Sequence, residues 1–153
     1  MASLFLPKNS NEYREYNKGR ILEMLLYHDL AECKTHDHTP EERGEDVKAE
    51  EKDFFEKLSL YRTYGFSNVR NIYELWNEFE NSNTINALIA KEIDKLEAYA
   101  QLLAYLESEE KITKEDFKRW RTEINNSIQT KHAKKIKKHI ESEFLSIIDE
   151  YSK

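Results

Sequence analysis

Glycine and proline are scarce in this chain of 153 residues, which contains three glycines and two prolines. Both residues interrupt regular helices, and chains rich in them form collagen-like or low-complexity structures. Their scarcity excludes those classes. Charged residues make up 35% of the sequence, and Lys, Glu, Leu and Ile are frequent. This composition favours a mostly helical protein.

Cysteine, positive charge and long apolar runs are also in short supply. Cys33 is the one cysteine, which excludes an internal disulfide and fits a reducing compartment. A formal net charge of −6 argues against general nucleic-acid binding, because no excess positive charge can displace counterions. No run approaches the length of a membrane span, and the opening MASLFLPKNS lacks the basic region of a signal peptide. These features predict a soluble cytoplasmic protein with no nucleic-acid or membrane partner.

Apolar residues recur at helical spacing and predict an all-α fold of about six helices. The predicted segments run over residues 11–32, 39–64, 69–80 and 85–107, followed by a helix that Thr113 caps and a last basic-then-apolar helix in the tail. The pattern shows no internal repeat.

The stretch ILEMLLYHDLAECKTHDHTP places ionisable residues on an apolar helical face. His28 continues the stripe of Ile21 and Leu25, so its ring is predicted to point inward. Asp29 and Glu32 are predicted to lie on neighbouring positions of the same helical surface. Buried charge is costly unless it is paired, so this face requires a counterpart elsewhere in the fold.

Asp94, on the longest predicted helix, is the counterpart that the pattern offers. Ala90 and Ala98 lie one turn before and one turn after it, and small residues let another helix approach closely. Two interpretations remain open. Either His28 is a core histidine with satisfied hydrogen bonds and Asp94 pairs with a lysine or an imidazole, or the imidazole and the two carboxylates bind a divalent cation.

Three segments in order, HDLAE with its Thr/Asp/Pro loop, YELWNEFE, and KEIDKLEAYAQLLAYLE, resemble the HD-domain metal-dependent phosphohydrolases. The branch that they resemble is the group of small 5′-deoxynucleotidases, over roughly residues 17–107. The resemblance implies a helical HD-like domain at residues 1–107. The apolar pattern of the tail predicts that residues 108–153 form a helical extension packed on the same domain. The resemblance also implies a divalent metal ion (Mn, Co, Mg, Fe or Zn) and hydrolysis of nucleoside 5′-monophosphates, deoxynucleotides in particular, to nucleoside and phosphate.

The resemblance assigns the metal ligands. It makes His28 and Asp29 the metal-binding pair and Asp94 the distal metal-binding aspartate. Lys91 and Lys95 flank Asp94. They are candidates for contacting a substrate phosphate, and otherwise pair with glutamates at i,i+4.

The resemblance also assigns the residues that move protons. Glu32 matches the carboxylate that handles protons around the attacking water. Asp37 matches a loop aspartate that usually follows a glycine, and His36 stands in the place of that glycine here.

The sequence departs from the family at its N-terminal end. The family has another metal-binding histidine on an earlier helix, whereas no histidine precedes His28 in this chain. We therefore expect a shortened chain with impaired metal binding and hydrolysis, in which Ile21, Leu25 and their neighbours are uncovered and promote a homodimer or higher oligomer. His36 and His38 are either substitute ligands or surface residues. The alternative function is that of a non-catalytic HD-like binding or dimerisation module.

Several other side chains are predicted to be structural. Tyr73, Trp76 and Phe79 repeat at helical spacing and are expected in the core rather than around a cofactor. Glu78 is expected on a solvated face, and Cys33 is expected to be a small buried residue.

Overall fold

The computed structural model describes residues 16–36, 44–60, 72–108 and 112–152. All regular secondary structure in these ranges is helical, which confirms the all-α prediction. The helices are α1 (Lys18–Tyr27), α2 (Glu32–Thr35), α3 (Glu45–Leu60), α4 (Ile72–Asn81), α5 (Ile85–Glu107), α6 (Lys114–Ser127), α7 (Lys131–Glu143) and α8 (Leu145–Ser152).

The described residues group into two compact units, one that extends to Ala90 and one that begins at Lys91. This boundary lies inside α5 rather than at residue 107. The assignment of residues 1–107 to an HD-like domain with a C-terminal extension stays a prediction. None of the helices in the described ranges is long and apolar enough to span a bilayer.

Helix α1 ends earlier than the apolar pattern predicts. Asn17 caps its start, because the Asn17 side chain accepts a hydrogen bond from the Arg20 amide at 3.1 Å. At the other end His28 is the C-cap, and its amide donates to the Met24 carbonyl at 2.9 Å. The prediction of one helix continuing through Glu32 is therefore wrong.

The early end of α1 has a physical reason. Asp29 has low helix propensity, and a carboxylate near a helix C-terminus is repelled by the negative end of the helix dipole. Residues 28–31 form a turn instead, and Glu32 begins α2. At the start of α2 the negative charge of Glu32 is favourable, because it lies at the positive end of the helix dipole. His28, Asp29 and Glu32 thus lie around a turn between two helices and not along one helical face.

The core of the first unit is built from aromatic and aliphatic side chains of α1, α3 and α4. On α1, Ile21 and Met24 are fully buried, so the expectation that Ile21 is uncovered is wrong. Phe55 stacks on Trp76 with ring centroids 5.0 Å apart. Phe79 is also buried, which confirms the predicted core stripe of α4. Burying each such ring removes about 150–250 Å² from water, so these aromatics dominate the packing energy.

A partly buried ion pair links α1, α4 and the start of α5 in this unit. Arg20 Nε donates to one carboxylate oxygen of Glu78 at 2.6 Å. Thr84 Oγ1 donates to the other at 2.5 Å, and also accepts from the Ala87 amide at 3.1 Å as it caps α5. The Glu78 side chain is only 11% exposed, so the prediction of a solvated Glu78 is wrong.

The second unit packs α5 against α6, α7 and α8. Its fully buried side chains are Leu96, Tyr99, Leu103, Phe117 and Ile124. The tail, predicted as one helix, forms α7 and α8, which are separated at Phe144, where φ is −121° and ψ is 27°.

Glu92 fixes the loop between α6 and α7 from inside the second unit. One of its oxygens accepts from the amides of Gln129 and Thr130, both at 2.7 Å, and the other accepts from Thr130 Oγ1 at 2.5 Å. Thr130 also caps α7 by accepting from the Ala133 amide at 3.2 Å. The Glu92 residue is 3% exposed, and these hydrogen bonds compensate for its burial.

We expect Glu92→Gln to destabilise the protein by about 1–3 kcal/mol, because the amide NH₂ group would face donors that now meet a carboxylate. Urea unfolding followed by circular dichroism measures this change. Glu97→Gln is the matched control, since Glu97 is exposed on the same helix. Its effect should stay within about 0.5 kcal/mol. Equal stabilities of the two variants would contradict the anchoring role of Glu92.

Candidate functional site

The turn after α1 fixes the orientation of the His28 ring. His28 Nδ1 lies 3.0 Å from the Leu25 carbonyl oxygen. A carbonyl oxygen can only accept, so Nδ1 carries the hydrogen. In the neutral ring Nε2 then presents its lone pair, 3.0 Å from Asp29 Oδ1. The His28 side chain is 12% exposed, which confirms that the ring points inward.

Two electron-rich atoms, His28 Nε2 and Asp29 Oδ1, therefore converge on one point. A cation between them, whether a proton or a metal ion, satisfies both lone pairs. Metal-binding histidines commonly have this arrangement, with the other ring nitrogen donating to a backbone carbonyl. The Asp29 side chain is 61% exposed, so the pair is open to solvent on the carboxylate side. The donor set fits a divalent ion of the type that imidazole and carboxylate bind together.

Phe79 supports the His28 ring from the side. The two ring centroids are 4.7 Å apart and the rings are tilted by 47°. Phe79 is itself 5% exposed and belongs to the buried stripe of α4. The sequence pattern identified Phe79 as core but gave no sign of this contact. The one sequence signal for this contact is that α1 and α4 each carry an apolar stripe, which has to pack against another element.

The residues after His28 lie on and beyond α2. Glu32 is the first residue of α2 and is half-buried. Cys33 is exposed, so the prediction that it is buried is wrong. The reason is that Ala31 and Thr35, one turn apart, face the interior and leave Cys33 on the outer side of the short helix.

His36 has a backbone conformation that favours glycine. It ends α2 with φ at 66° and ψ at 169°, a region in which a side chain is strained. This is the position at which the resemblance places a glycine, so the turn keeps a glycine-like geometry. Asp37, the predicted loop carboxylate, and His38, either a substitute ligand or a surface residue, lie outside the described residues.

Asp94, Lys91 and Lys95 lie on α5, in the unit that begins at Lys91. Lys95 Nζ pairs with Glu123 on α6 at 3.0 Å, so the predicted i,i+4 pairing is wrong for Lys95. Asp94 as a metal ligand and the two lysines as phosphate contacts stay predictions. Within the described ranges, no three His, Cys, Asp or Glu side chains form a group that could hold a metal ion.

The sequence is similar to known proteins over most of its length. A family described as "HD domain" matches residues 1–137. The chain is 34% identical over 103 residues to the 5′-deoxynucleotidase HDDC2 of Xenopus laevis, which covers 65% of this chain and 50% of that protein. It is 36% identical over 98 residues to the HDDC2 of Danio rerio, covering 62% and 48%, and 31% identical over 98 residues to that of Homo sapiens, covering 62% and 47%. The chain spans about half the length of the curated relatives it matches.

We expect His36→Gly to stabilise the protein by about 1 kcal/mol, because a strained conformation of this kind costs about 1–3 kcal/mol and glycine relieves it. Part of that gain is offset by the larger conformational freedom of glycine in the unfolded chain. Thermal and urea unfolding measure the change. His36→Ala is the control, because it removes the imidazole but keeps a Cβ at the strained position. If the glycine variant is no more stable than the alanine variant, the strain is absent.

Proposed function

Because this chain belongs to the HD-domain family, we propose that it is a metal-dependent phosphohydrolase that converts nucleoside 5′-monophosphates, in particular deoxynucleotides, to nucleoside and phosphate. The family membership supports the reaction class. The 5′-deoxynucleotidase names of the relatives support the choice of substrate.

The observation that carries this proposal is the orientation of His28. The hydrogen bond from Nδ1 to the Leu25 carbonyl leaves Nε2 as a lone-pair donor beside Asp29 Oδ1. A histidine that served only the core would not need an exposed carboxylate 3.0 Å from its Nε2 atom. The pair supplies one nitrogen and one oxygen ligand, and we assign Asp94 as the further carboxylate.

The proposed reaction divides the work among these residues. Water supplies the oxygen that enters the phosphate, the bond between phosphorus and the 5′ oxygen breaks, and the leaving oxygen takes up a proton. When bound, a divalent ion supplies positive charge against the phosphate oxygens. His28 and Asp29 would hold this ion in place. Glu32 and Asp37 are the carboxylates that we assign to proton transfer to and from the reacting oxygens.

The proposed contacts of the substrate are on α5. Lys91 and Lys95 carry the positive charge that we assign to the phosphate, although Lys95 must then exchange its ion pair with Glu123 for the substrate. That pair is about one-third exposed on each side, so solvent screening keeps its strength low.

We expect Asp29→Ala to lower Mn²⁺ affinity at least tenfold and to abolish phosphate release from deoxynucleoside monophosphates, because the carboxylate beside Nε2 is lost. Isothermal titration with Mn²⁺ and a phosphate-release assay measure the two effects. Asp53→Ala is the matched control, since Asp53 is a partly exposed carboxylate of the same unit that pairs with Lys57. It should leave both properties unchanged.

Two other outcomes would contradict these assignments. Undiminished Mn²⁺ binding by the Asp29 variant contradicts the assignment of this pair. A parent chain that binds no divalent ion even at saturating concentration contradicts the metal-dependent phosphohydrolase proposal and favours the non-catalytic HD-like module.

We also propose that the chain forms a homodimer or higher oligomer through α1. Leu26 is 71% exposed and Leu22, one turn earlier, is 40% exposed. Two neighbouring leucines in water favour association. Light scattering after gel filtration should give at least twice the monomer mass, and Leu26→Lys should reduce it. A monomer mass for the parent chain contradicts this proposal.

A further inference from the structure

A cavity of about 400 Å³ lies between α5 and α6, wholly within the unit that begins at Lys91. Its volume lies within the range of small-molecule sites. On α5 the lining residues include Leu102 and Tyr105, and on α6 they include Asp116 and Trp120. No residue assigned to metal binding or proton transfer lines this cavity.

Two aromatic rings and one carboxylate give the cavity its chemistry. Tyr105 is 46% exposed, and Trp120 is half-buried against the core of the unit. Thr113 Oγ1 donates to Asp116 Oδ2 at 2.7 Å. This hydrogen bond, with the charge of Arg119 nearby, holds the pKa of Asp116 below its ordinary value. The Asp116 carboxylate is therefore ionised at neutral pH.

The polar groups of the cavity, Asp116 included, already have hydrogen-bond or ion-pair partners within the protein. Gln101 Nε2 donates to the Tyr105 hydroxyl oxygen at 2.8 Å. Asp116 accepts from Thr113, and its second oxygen lies 3.4 Å from the Arg119 guanidinium. A ligand that depends on directional hydrogen bonds finds few free partners here. A cation that depends on charge and on aromatic faces does not need them.

We propose that this cavity binds a small organic cation with apolar substituents, such as an alkylated ammonium group. Tyr105 and Trp120 supply the aromatic surface that attracts the positive charge, and the Asp116 carboxylate adds a negative charge beside it. Leu102, which is 8% exposed, provides an apolar surface for the substituents. The net charge of −6 draws cations towards the protein from solution.

The first test compares two ligands of the same shape. The full chain is titrated with choline and, separately, with its uncharged analogue 3,3-dimethyl-1-butanol, while the indole N–H signals are followed by NMR. Choline should shift the Trp120 signal saturably and leave Trp76, in the other unit, unchanged. The alcohol should bind at least about fivefold more weakly, because it lacks the cation–π attraction. Equal binding of the two ligands overturns the proposal, as does a deoxynucleoside that shifts Trp120 in place of choline.

The second test changes the charge and the rings. Asp116→Asn and Tyr105→Leu should each weaken choline binding about two- to fivefold, whereas Tyr105→Phe should retain it. Arg119→Gln should tighten binding, because it removes a positive charge that competes for Asp116. Asp149→Asn, at an exposed carboxylate on α8, is the matched control and should have no effect.

Thermal unfolding identifies variants that lose the fold. Arg119→Gln is expected to bind choline more tightly, and a loss of the fold cannot produce tighter binding. Unchanged affinity in Asp116→Asn, or weaker binding in Arg119→Gln, overturns the cation site.

Discussion

The hydrogen bond between His28 Nδ1 and the Leu25 carbonyl determines what the rest of the candidate site can do. It forms because α1 ends at Tyr27, which leaves the Leu25 carbonyl without a helical partner at the point where the His28 ring turns back. With Nδ1 engaged, Nε2 is the ring nitrogen that faces the Asp29 carboxylate. Asp29, whose charge disfavours continuation of α1, also places its carboxylate beside Nε2. The end of the helix therefore positions both the ring of His28 and the carboxylate of Asp29.

The first unit holds this turn in position through contacts that are remote in sequence. Arg20, two turns before His28, is held by Glu78, and Glu78 also receives the hydroxyl hydrogen bond of Thr84. The pair is only partly exposed, so losing either partner leaves a charge in a poorly solvated place. Phe79, the residue after Glu78, contacts the His28 ring. Helix α4 thus holds α1 in place through Glu78 and holds the His28 ring in place through Phe79.

The sequence could predict elements that depend on local spacing. The buried stripe of α4, the cap at Thr113 and the inward direction of His28 follow from apolar periodicity and capping residues, and the structure confirms them. The end of α1 was missed because periodicity counts His28 as apolar and ignores the electrostatics of Asp29 at a helix C-terminus. The burial of Glu78 was missed because its partner Arg20 is 58 residues away, and no local pattern reports such a pair.

The family resemblance and the atomic geometry explain different features of the molecule. The resemblance placed a glycine where the structure has His36 at a φ of 66°, so the turn geometry persists although the residue differs. Geometry alone identified the tautomer of His28 and the cation-type cavity of the second unit. Neither could be derived from residue spacing, because both depend on which atoms face each other across a turn or between helices.

The tautomer of His28 is the most direct measurement of the central claim. Nitrogen-15 NMR of the histidine ring, recorded for the metal-free chain and again with Cd²⁺, distinguishes the two ring nitrogens. The account predicts a hydrogen on Nδ1 in both states, and a large shift of Nε2 alone when Cd²⁺ is added. A hydrogen on Nε2 in the neutral ring, or an imidazole unaffected by saturating Cd²⁺, would contradict it.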